Sequence, residues 1–132
     1  RYLEIPAANG IGQVRGIARA YSAFAMGGAE LDLDDETMRS LTEPAIPPST
    51  CLFDEALRCD TNFSLGFMKP FPEFQFGSSG RSFGTPGAGG SFGFADPDAG
   101  IGFAYAMSKM GFHLFDDPRE KALRDTLYTC IK

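Results

Sequence analysis

The chain has 132 residues, 43% hydrophobic and 22% charged, which is enough for one domain with a modest core and too apolar for a disordered segment. Its formal net charge of −5, with no Lys/Arg cluster, argues against a nucleic-acid partner. No apolar run reaches the about 20 residues that a membrane-spanning helix needs, so the sequence predicts no membrane span.

Cysteine and histidine usage argues against a metal site. The three cysteines, Cys51, Cys59 and Cys130, show no Cys-x-x-Cys spacing, and the single histidine is His113. These few scattered ligands do not match a zinc site, so we expect no bound metal. Whether Cys51 and Cys59 form a disulfide bond depends on the redox compartment, which the sequence does not indicate.

The N-terminal part predicts a first helix. The chain begins at Arg1 without a methionine or a visible signal peptide, which fits a piece of a longer protein or a processed chain. Residues 13–26 carry apolar side chains at helical spacing, and Gly27-Gly28 is typical of a helix end. We expect the helix to start near Asn9 or Gly10. Its buried face is predicted to consist of Val14, Ile17, Ala18, Tyr21 and Ala25.

A second, shorter helix is predicted over residues 35–43, followed by a long irregular stretch. Asp34 is a suitable N-cap, acidic residues occupy the first turn, and Pro44 ends the helix. Residues 45–62 lack clean periodicity, so we expect a loop there with one short helical turn near Asp54–Leu57.

The remaining chain predicts antiparallel strands and a closing helix. Strands are expected over residues 63–68, 81–85, 91–95 and 101–109. Turns are expected at residues 77–80 and, as a hairpin connection, at Asp96–Gly100. Most phenylalanines of this part are expected to form the core, namely Phe63, Phe67, Phe71, Phe74, Phe76, Phe83, Phe92, Phe94 and Phe103.

Asp116-Asp117-Pro118 is typical of a helix start, because an acidic cap is followed by proline at the first helical position. The helix should continue to Ile131. Its inward face is predicted to consist of Ala122, Leu123, Thr126, Leu127 and Cys130. Helices, then grouped strands, then a helix that covers one sheet face indicate an α+β fold.

The stretch from Gly84 to Met110 carries the strongest chemical signal. Its entry, Thr85-Pro86-Gly87-Ala88-Gly89-Gly90, contains more glycine than packing requires, and such glycines let a ligand approach the backbone closely. The run 83–97 resembles the third active-site motif of serine β-lactamase-like hydrolases, in which Lys-Thr-Gly or His-x-Gly precedes a Gly-rich hairpin. Residues 6–10, with the helix after them and Gly27-Gly28, resemble the Ser-Ala-Asn-Gly segment of the same superfamily.

This superfamily comprises class C β-lactamases, D-alanyl-D-alanine peptidases and β-lactamase-fold esterases. The resemblance covers nearly the whole chain and implies the C-terminal portion of one β-lactamase/transpeptidase-like domain. Residues 1–62 would be a helical and loop segment from the helical subdomain, 63–115 the antiparallel strands, and 116–132 the C-terminal helix packed on the sheet. No metal or organic cofactor is implied, and the localisation is not indicated.

The resemblance also implies a role for each residue of the glycine-rich entry. Thr85-Pro86-Gly87 would stand at the triplet, and Ala88, next along that strand, would offer its backbone N–H to the oxyanion. Such a donor typically contributes about 3 kcal/mol to the barrier. The residues expected to contact or admit the substrate are Pro86, Gly87, Gly89, Gly90 and Arg81. Some of the phenylalanines would be available to line an apolar acyl pocket.

Two departures from the superfamily pattern matter. Thr85 replaces the usual Lys or His and supplies only a hydroxyl, which makes recognition of a substrate carboxylate doubtful and favours ester or small-amide substrates or an impaired site. No serine of this chain is followed by Lys three residues later, and no Tyr-x-Asn motif is present. We therefore expect the chain alone to be inactive, with the nucleophile in another part of the protein or in a separate chain.

A hypothesis of a different class is a degenerate, non-catalytic module retained for binding or assembly, and Thr85 favours it. A sheet that lacks its earlier strands would also expose an edge and an apolar face. We therefore expect the chain to associate with a missing N-terminal half or with itself. The expected small-molecule partner of the parent is an ester or amide substrate.

Overall fold

The structure, a computed structural model, describes residues 10–47 and 51–131. Asn9 and nearly all of the segment 6–10 therefore lie outside the described residues. The helices are α1 (Val14–Ala25), α2 (Asp35–Thr42) and α3 (Pro118–Cys130), with a short 3-10 turn at Ala29–Leu31. The strands are β1 (Phe53–Asp54), β2 (Cys59–Asp60), β3 (Asn62–Ser64), β4 (Phe67–Lys69), β5 (Phe83–Gly87), β6 (Ser91–Asp96) and β7 (Ile101–Tyr105).

The arrangement of helices and antiparallel strands confirms the α+β prediction. β3 to β7 form one five-stranded sheet in chain order, and β1 and β2 form a separate two-stranded ribbon. α1 packs against β6 and β7 on one face of the sheet. α3 lies on the other face, where the ring of Tyr128 stacks on that of Phe94.

The core divides into two clusters because successive side chains of a strand point to opposite faces of the sheet. On the α1 face, Phe83 and Ala95 pack with Tyr21, Ala25 and Leu41. On the α3 face, Phe92 and Phe94 pack with Phe71, Phe74 and Phe76. Among the predicted core phenylalanines, only Phe63 is exposed, at 38%.

Two glycines allow α1 to lie close to the sheet. A Cβ at Gly93 would stand 2.5 Å from a ring carbon of Tyr21, and a Cβ at Gly102 would stand 2.1 Å from the backbone nitrogen of Ser22. Both distances are far below van der Waals contact, so only glycine fits between β6, β7 and the helix. This close approach brings Tyr21 over β5 and β6, next to the glycine-rich hairpin.

The predicted helix caps agree with the structure at α2 and α3. The carboxylate of Asp34 accepts a hydrogen bond from the N–H of Thr37 at 2.7 Å, and the carboxylate of Asp117 accepts one from the N–H of Arg119 at 3.1 Å. Pro118 occupies the first turn of α3, where its missing N–H costs nothing. At α1 the N-cap is Gln13 rather than Gly10.

The inward face predicted for α3 is wrong. The buried residues are Glu120 and Arg124, whereas Leu123 is 55% exposed. The Arg124 guanidinium bonds to Glu120 at 2.8 Å and to Asp116, and it lies over the rings of Phe74 and Phe92. The Arg124 charge can be buried at a position where an apolar side chain was expected, because the guanidinium is paired with these carboxylates. The α1 face is correct at Tyr21 and Ala25, but Val14 and Ile17 are 40% and 44% exposed, since no described residue fully covers that end.

Two short segments differ from their predictions because of backbone conformation. The helical turn at Asp54–Leu57 is instead the connection of the β1–β2 ribbon, in which Arg58 adopts a φ of 59°. The single strand over 63–68 is a hairpin of β3 and β4, since Leu65 and Gly66 have φ of 43° and 87°. Positive φ at both turn residues matches the right-handed twist of a hairpin. The last strand, β7, also ends at Tyr105 rather than at 109.

Candidate active site

The edge of β5 that carries the triplet position extends beyond its neighbour. β5 is paired with β6 from Phe83 to Gly87, but its pairing with β4 is limited to Met68 opposite Gly84. Pro86 lacks an N–H, which a strand tolerates on a side without a ladder partner. Thr85-Pro86-Gly87 thus lines an edge that strand β4 does not cover.

The turn after β5, residues 88–90, directs a backbone N–H toward this edge. We call it the glycine turn. The Gly87 carbonyl accepts a hydrogen bond from the N–H of Gly90 at 3.1 Å, across the hairpin. In a trans peptide the N–H of the next residue points opposite to that carbonyl, and the described chain has no cis peptide. The N–H of Ala88 therefore points away from β6. Ala88 itself lies in the turn and not on the strand as predicted.

An apolar cavity of about 200 Å³ adjoins the same edge. Thr85 and Pro86 form one wall. The other lining residues are uncharged, namely Leu57, Phe63, Gly66, Met68, Leu114 and Phe115. Sequence patterns did not assign Leu57 and Leu114 to a site, because both lie in irregular segments with no periodicity to reveal their direction.

Tyr21 lies near the triplet position, although sequence reasoning assigned it only to the core. Burial raises the pKa of Tyr21, and hydrogen bonding with the side chain and backbone of Thr85 lowers it to a smaller extent. The phenol is consequently neutral at physiological pH and lies beside the triplet position. Helical spacing alone predicted that Tyr21 is buried, but not which strand it meets.

Arg81 is not brought to the glycine turn. It precedes β5, a five-residue strand, whereas the turn follows β5, so about 13 Å or more of backbone separates them. The exposed guanidinium of Arg81 instead pairs with Asp98 at 3.1 Å, in the β6–β7 turn. Its assignment to substrate contact has no support from this geometry.

The far side of the glycine turn is held by an ion pair. The Gly89 carbonyl accepts hydrogen bonds from the N–H of Gly111 at 2.7 Å and from Nη2 of Arg119 at 3.4 Å. Arg119 also pairs with the buried carboxylate of Asp117 at 2.7 Å. Hydrogen bonding by the Arg119 side chain lowers the pKa of Asp117 to about 2, so this carboxylate is ionised at neutral pH.

The remaining groups that could bind a metal or transfer a proton are the single histidine, the cysteines and the acidic residues. His113 is exposed, and the described residues contain no group of three His, Cys, Asp or Glu side chains arranged to hold a metal ion. Cys59 and Cys130 are free thiols. Over residues 10–47 and 51–131, no helix is both long and apolar enough to cross a membrane.

Comparison with known proteins identifies relatives of this chain. No protein-family model matches the chain. The chain is 37% identical over 111 residues to an esterase/β-lactamase, LipL, of Mycobacterium tuberculosis, and the match covers 81% of the chain.

Three solved structures share the fold. A family VIII carboxylesterase superposes with a TM-score of 0.74 at 34% identity over 90% of the chain. A penicillin-binding protein homologue from Caulobacter crescentus gives 0.68 at 31% identity over 86%, and EstA from Arthrobacter nitroguajacolicus gives 0.62 at 29% over 90%. The chain spans 24% of the length of LipL and 30% to 33% of these three structures.

Proposed function

Because this chain belongs to the serine β-lactamase-like superfamily, we propose that it is the C-terminal portion of a serine hydrolase that cleaves ester or small amide substrates through an acyl-enzyme. Its part in the reaction is to supply the strand edge on the oxyanion side. The nucleophile, in a Ser-x-x-Lys motif, lies outside these 132 residues, because no serine here has Lys three positions later.

The observation that carries this proposal is the direction of the Ala88 N–H. It points away from β6 at the open end of β5, as the Gly87–Gly90 hydrogen bond requires. A backbone donor in that place stabilises the negative charge that develops on the acyl oxygen. The role needs no particular side chain, so it is compatible with the unusual Thr85-Pro86-Gly87 triplet.

The cavity beside Thr85 supports an apolar acyl group as the preferred substrate part. Its described lining is uncharged, and its volume of about 200 Å³ suits a short aliphatic or aromatic acyl group. A β-lactam substrate carries a carboxylate, which would find no cation on this wall. The proposal therefore favours carboxylic esters over penicillin-like substrates.

The test uses the intact protein that contains this chain. We expect it to hydrolyse p-nitrophenyl butyrate faster than the chromogenic β-lactam nitrocefin, and to be labelled by a fluorophosphonate. Peptide mapping should place the label on a serine of a Ser-x-x-Lys motif outside residues 1–132. Replacing that serine by alanine should abolish both the ester hydrolysis and the fluorophosphonate labelling. A label on a serine of this chain would overturn the proposal.

Thr85 in place of Lys or His supports a second candidate, a non-catalytic module used for binding or assembly. The same experiment separates the two. An intact protein that lacks Ser-x-x-Lys and neither reacts with the fluorophosphonate nor hydrolyses either substrate has the properties of such a module.

A further inference from the structure

Arg119 connects three segments that are distant in sequence. Its Nη1 donates a hydrogen bond to the Lys109 carbonyl at 2.7 Å, and its Nη2 donates one to the Gly89 carbonyl at 3.4 Å. Its Nε and Nη2 also bond to both carboxylate oxygens of Asp117, at 2.8 and 2.7 Å. The side chain therefore links the glycine turn, the segment 109–111 and the start of α3.

The backbone lies directly against this ion pair. A Cβ at Gly90 would stand 2.4 Å from Oδ2 of Asp117, and a Cβ at Gly111 would stand 2.8 Å from Nη2 of Arg119. Side chains at these positions would push the turn or the segment 109–111 off the pair. The absence of a side chain at Gly90 and Gly111 therefore allows the backbone to lie against the Arg119–Asp117 ion pair.

The glycine turn requires such external support because of its own composition. Gly89 and Gly90 have φ of 96° and 106°, and glycine has the largest backbone freedom of any residue. An oxyanion donor stabilises the transition state only if its direction is set before the reaction begins. The N–H of Gly111 also bonds to the Gly89 carbonyl at 2.7 Å, and Arg119 holds that neighbouring segment through the Lys109 carbonyl. Arg119 therefore supports the glycine turn both directly and through the segment 109–111.

We propose that Arg119 is a positioning residue for the oxyanion donor, and this inference rests on the proposed function. Asp117, with its buried carboxylate, orients the guanidinium fork, and the fork holds the Gly89 carbonyl. The turn is thereby kept in the conformation in which the Ala88 N–H points to the substrate edge. Arg119 acts through the backbone and touches neither substrate nor reacting atoms.

The test compares Arg119→Met, Arg119→Lys and Arg19→Met in the intact protein. Arg19 is a matched control. It lies on α1, and its guanidinium forms an exposed ion pair at 2.7 Å with the carboxylate of Glu30, in the 3-10 turn that follows. For a p-nitrophenyl ester, we expect kcat of Arg119→Met to fall about 10- to 100-fold with little change in KM. Arg119→Lys should recover part of the loss, and Arg19→Met should match the wild type.

A boronic acid inhibitor gives an independent measure, since its tetrahedral adduct presents an oxygen to the donor. Its affinity should fall by about the same factor as kcat in Arg119→Met. Wild-type kcat in Arg119→Met, or a loss confined to KM, would overturn the inference.

Hydrogen exchange separates failure of this inference from failure of the proposed function. The amide of Gly90, which is hydrogen-bonded to the Gly87 carbonyl, should exchange about tenfold faster in Arg119→Met, while the amides of β5 and β6 keep wild-type rates. If the wild type hydrolyses no ester, the proposed function fails and the exchange data alone decide. Faster exchange confined to the turn then shows that Arg119 holds the turn but has no oxyanion donor to position, and unchanged exchange overturns the inference entirely.

Discussion

Removing one backbone hydrogen tests the assignment of Ala88 most directly. Ala88→Pro deletes the N–H and leaves the rest of the turn in place, whereas Ala88→Ser keeps the N–H and changes the side chain. The local backbone accepts proline, because Gly87 before it is extended in β5 and the φ of Ala88 is not positive. Ala88 is also exposed, so the ring meets no packed core.

The expected loss follows from the worth of one oxyanion donor, about 2.7–4 kcal/mol, or about 10²- to 10³-fold in kcat. We would measure kcat and KM of the intact protein for p-nitrophenyl butyrate, and its unfolding by circular dichroism as a check on folding. Ala88→Pro should lose kcat by this factor with KM nearly unchanged, and Ala88→Ser should retain it. A proline variant within about threefold of wild type, or equal losses in both variants, would refute the role of this N–H.

Gly102→Ala should destabilise the protein by about 1–3 kcal/mol in urea unfolding, because its Cβ would stand 2.1 Å from a backbone nitrogen of α1. Gly16→Ala, with open space around it, should instead stabilise α1 by about 1 kcal/mol; a shared sign would contradict the packing of α1. The pKa of Asp117, lowered to about 2 in the folded state, means that its stabilisation is present above the unfolded value of about 3.9 and is lost as pH falls toward 2. As the pH is lowered from 5 to 2, the thermal unfolding midpoint should therefore fall less steeply for Asp117→Asn than for the wild type. Tyr128→Phe removes the hydroxyl that donates to the buried carboxylate of Asp96 at 2.6 Å, and should cost about 1–3 kcal/mol by thermal or urea unfolding; an unchanged midpoint would count against that bond.

Local sequence chemistry was sufficient for much of the fold. Asp34 and Asp117 cap their helices because a carboxylate accepts orphan N–H groups two or three residues away, a relation contained in the sequence itself. The hairpin of β6 and β7 was likewise predictable, because its turn residues and flanking apolar runs are adjacent in the chain. The Gly-rich entry identified the place of the candidate site for the same reason.

Features that depend on distant partners were missed or misassigned. The buried face of α3 carries Glu120 and Arg124, which apolar periodicity cannot reveal, because their burial depends on rings and acceptors from other elements. Arg81 was assigned to the site from nearness in sequence, but an extended strand carries it away from the turn. The apolar cavity is lined by residues of β3, β4, β5 and two loops, so the pattern of any single segment cannot predict it.

By itself the sequence determined the element types, the α+β class and the glycine-rich segment that resembles an active-site motif, because these depend on neighbours within a few residues. The three-dimensional structure was needed for the direction of the Ala88 N–H, which the Gly87–Gly90 hydrogen bond sets, and for the contact of Arg119 with Gly89, 30 residues away. A hydrogen bond has a direction, and direction is set only when the hairpin has closed and α3 has packed beside it.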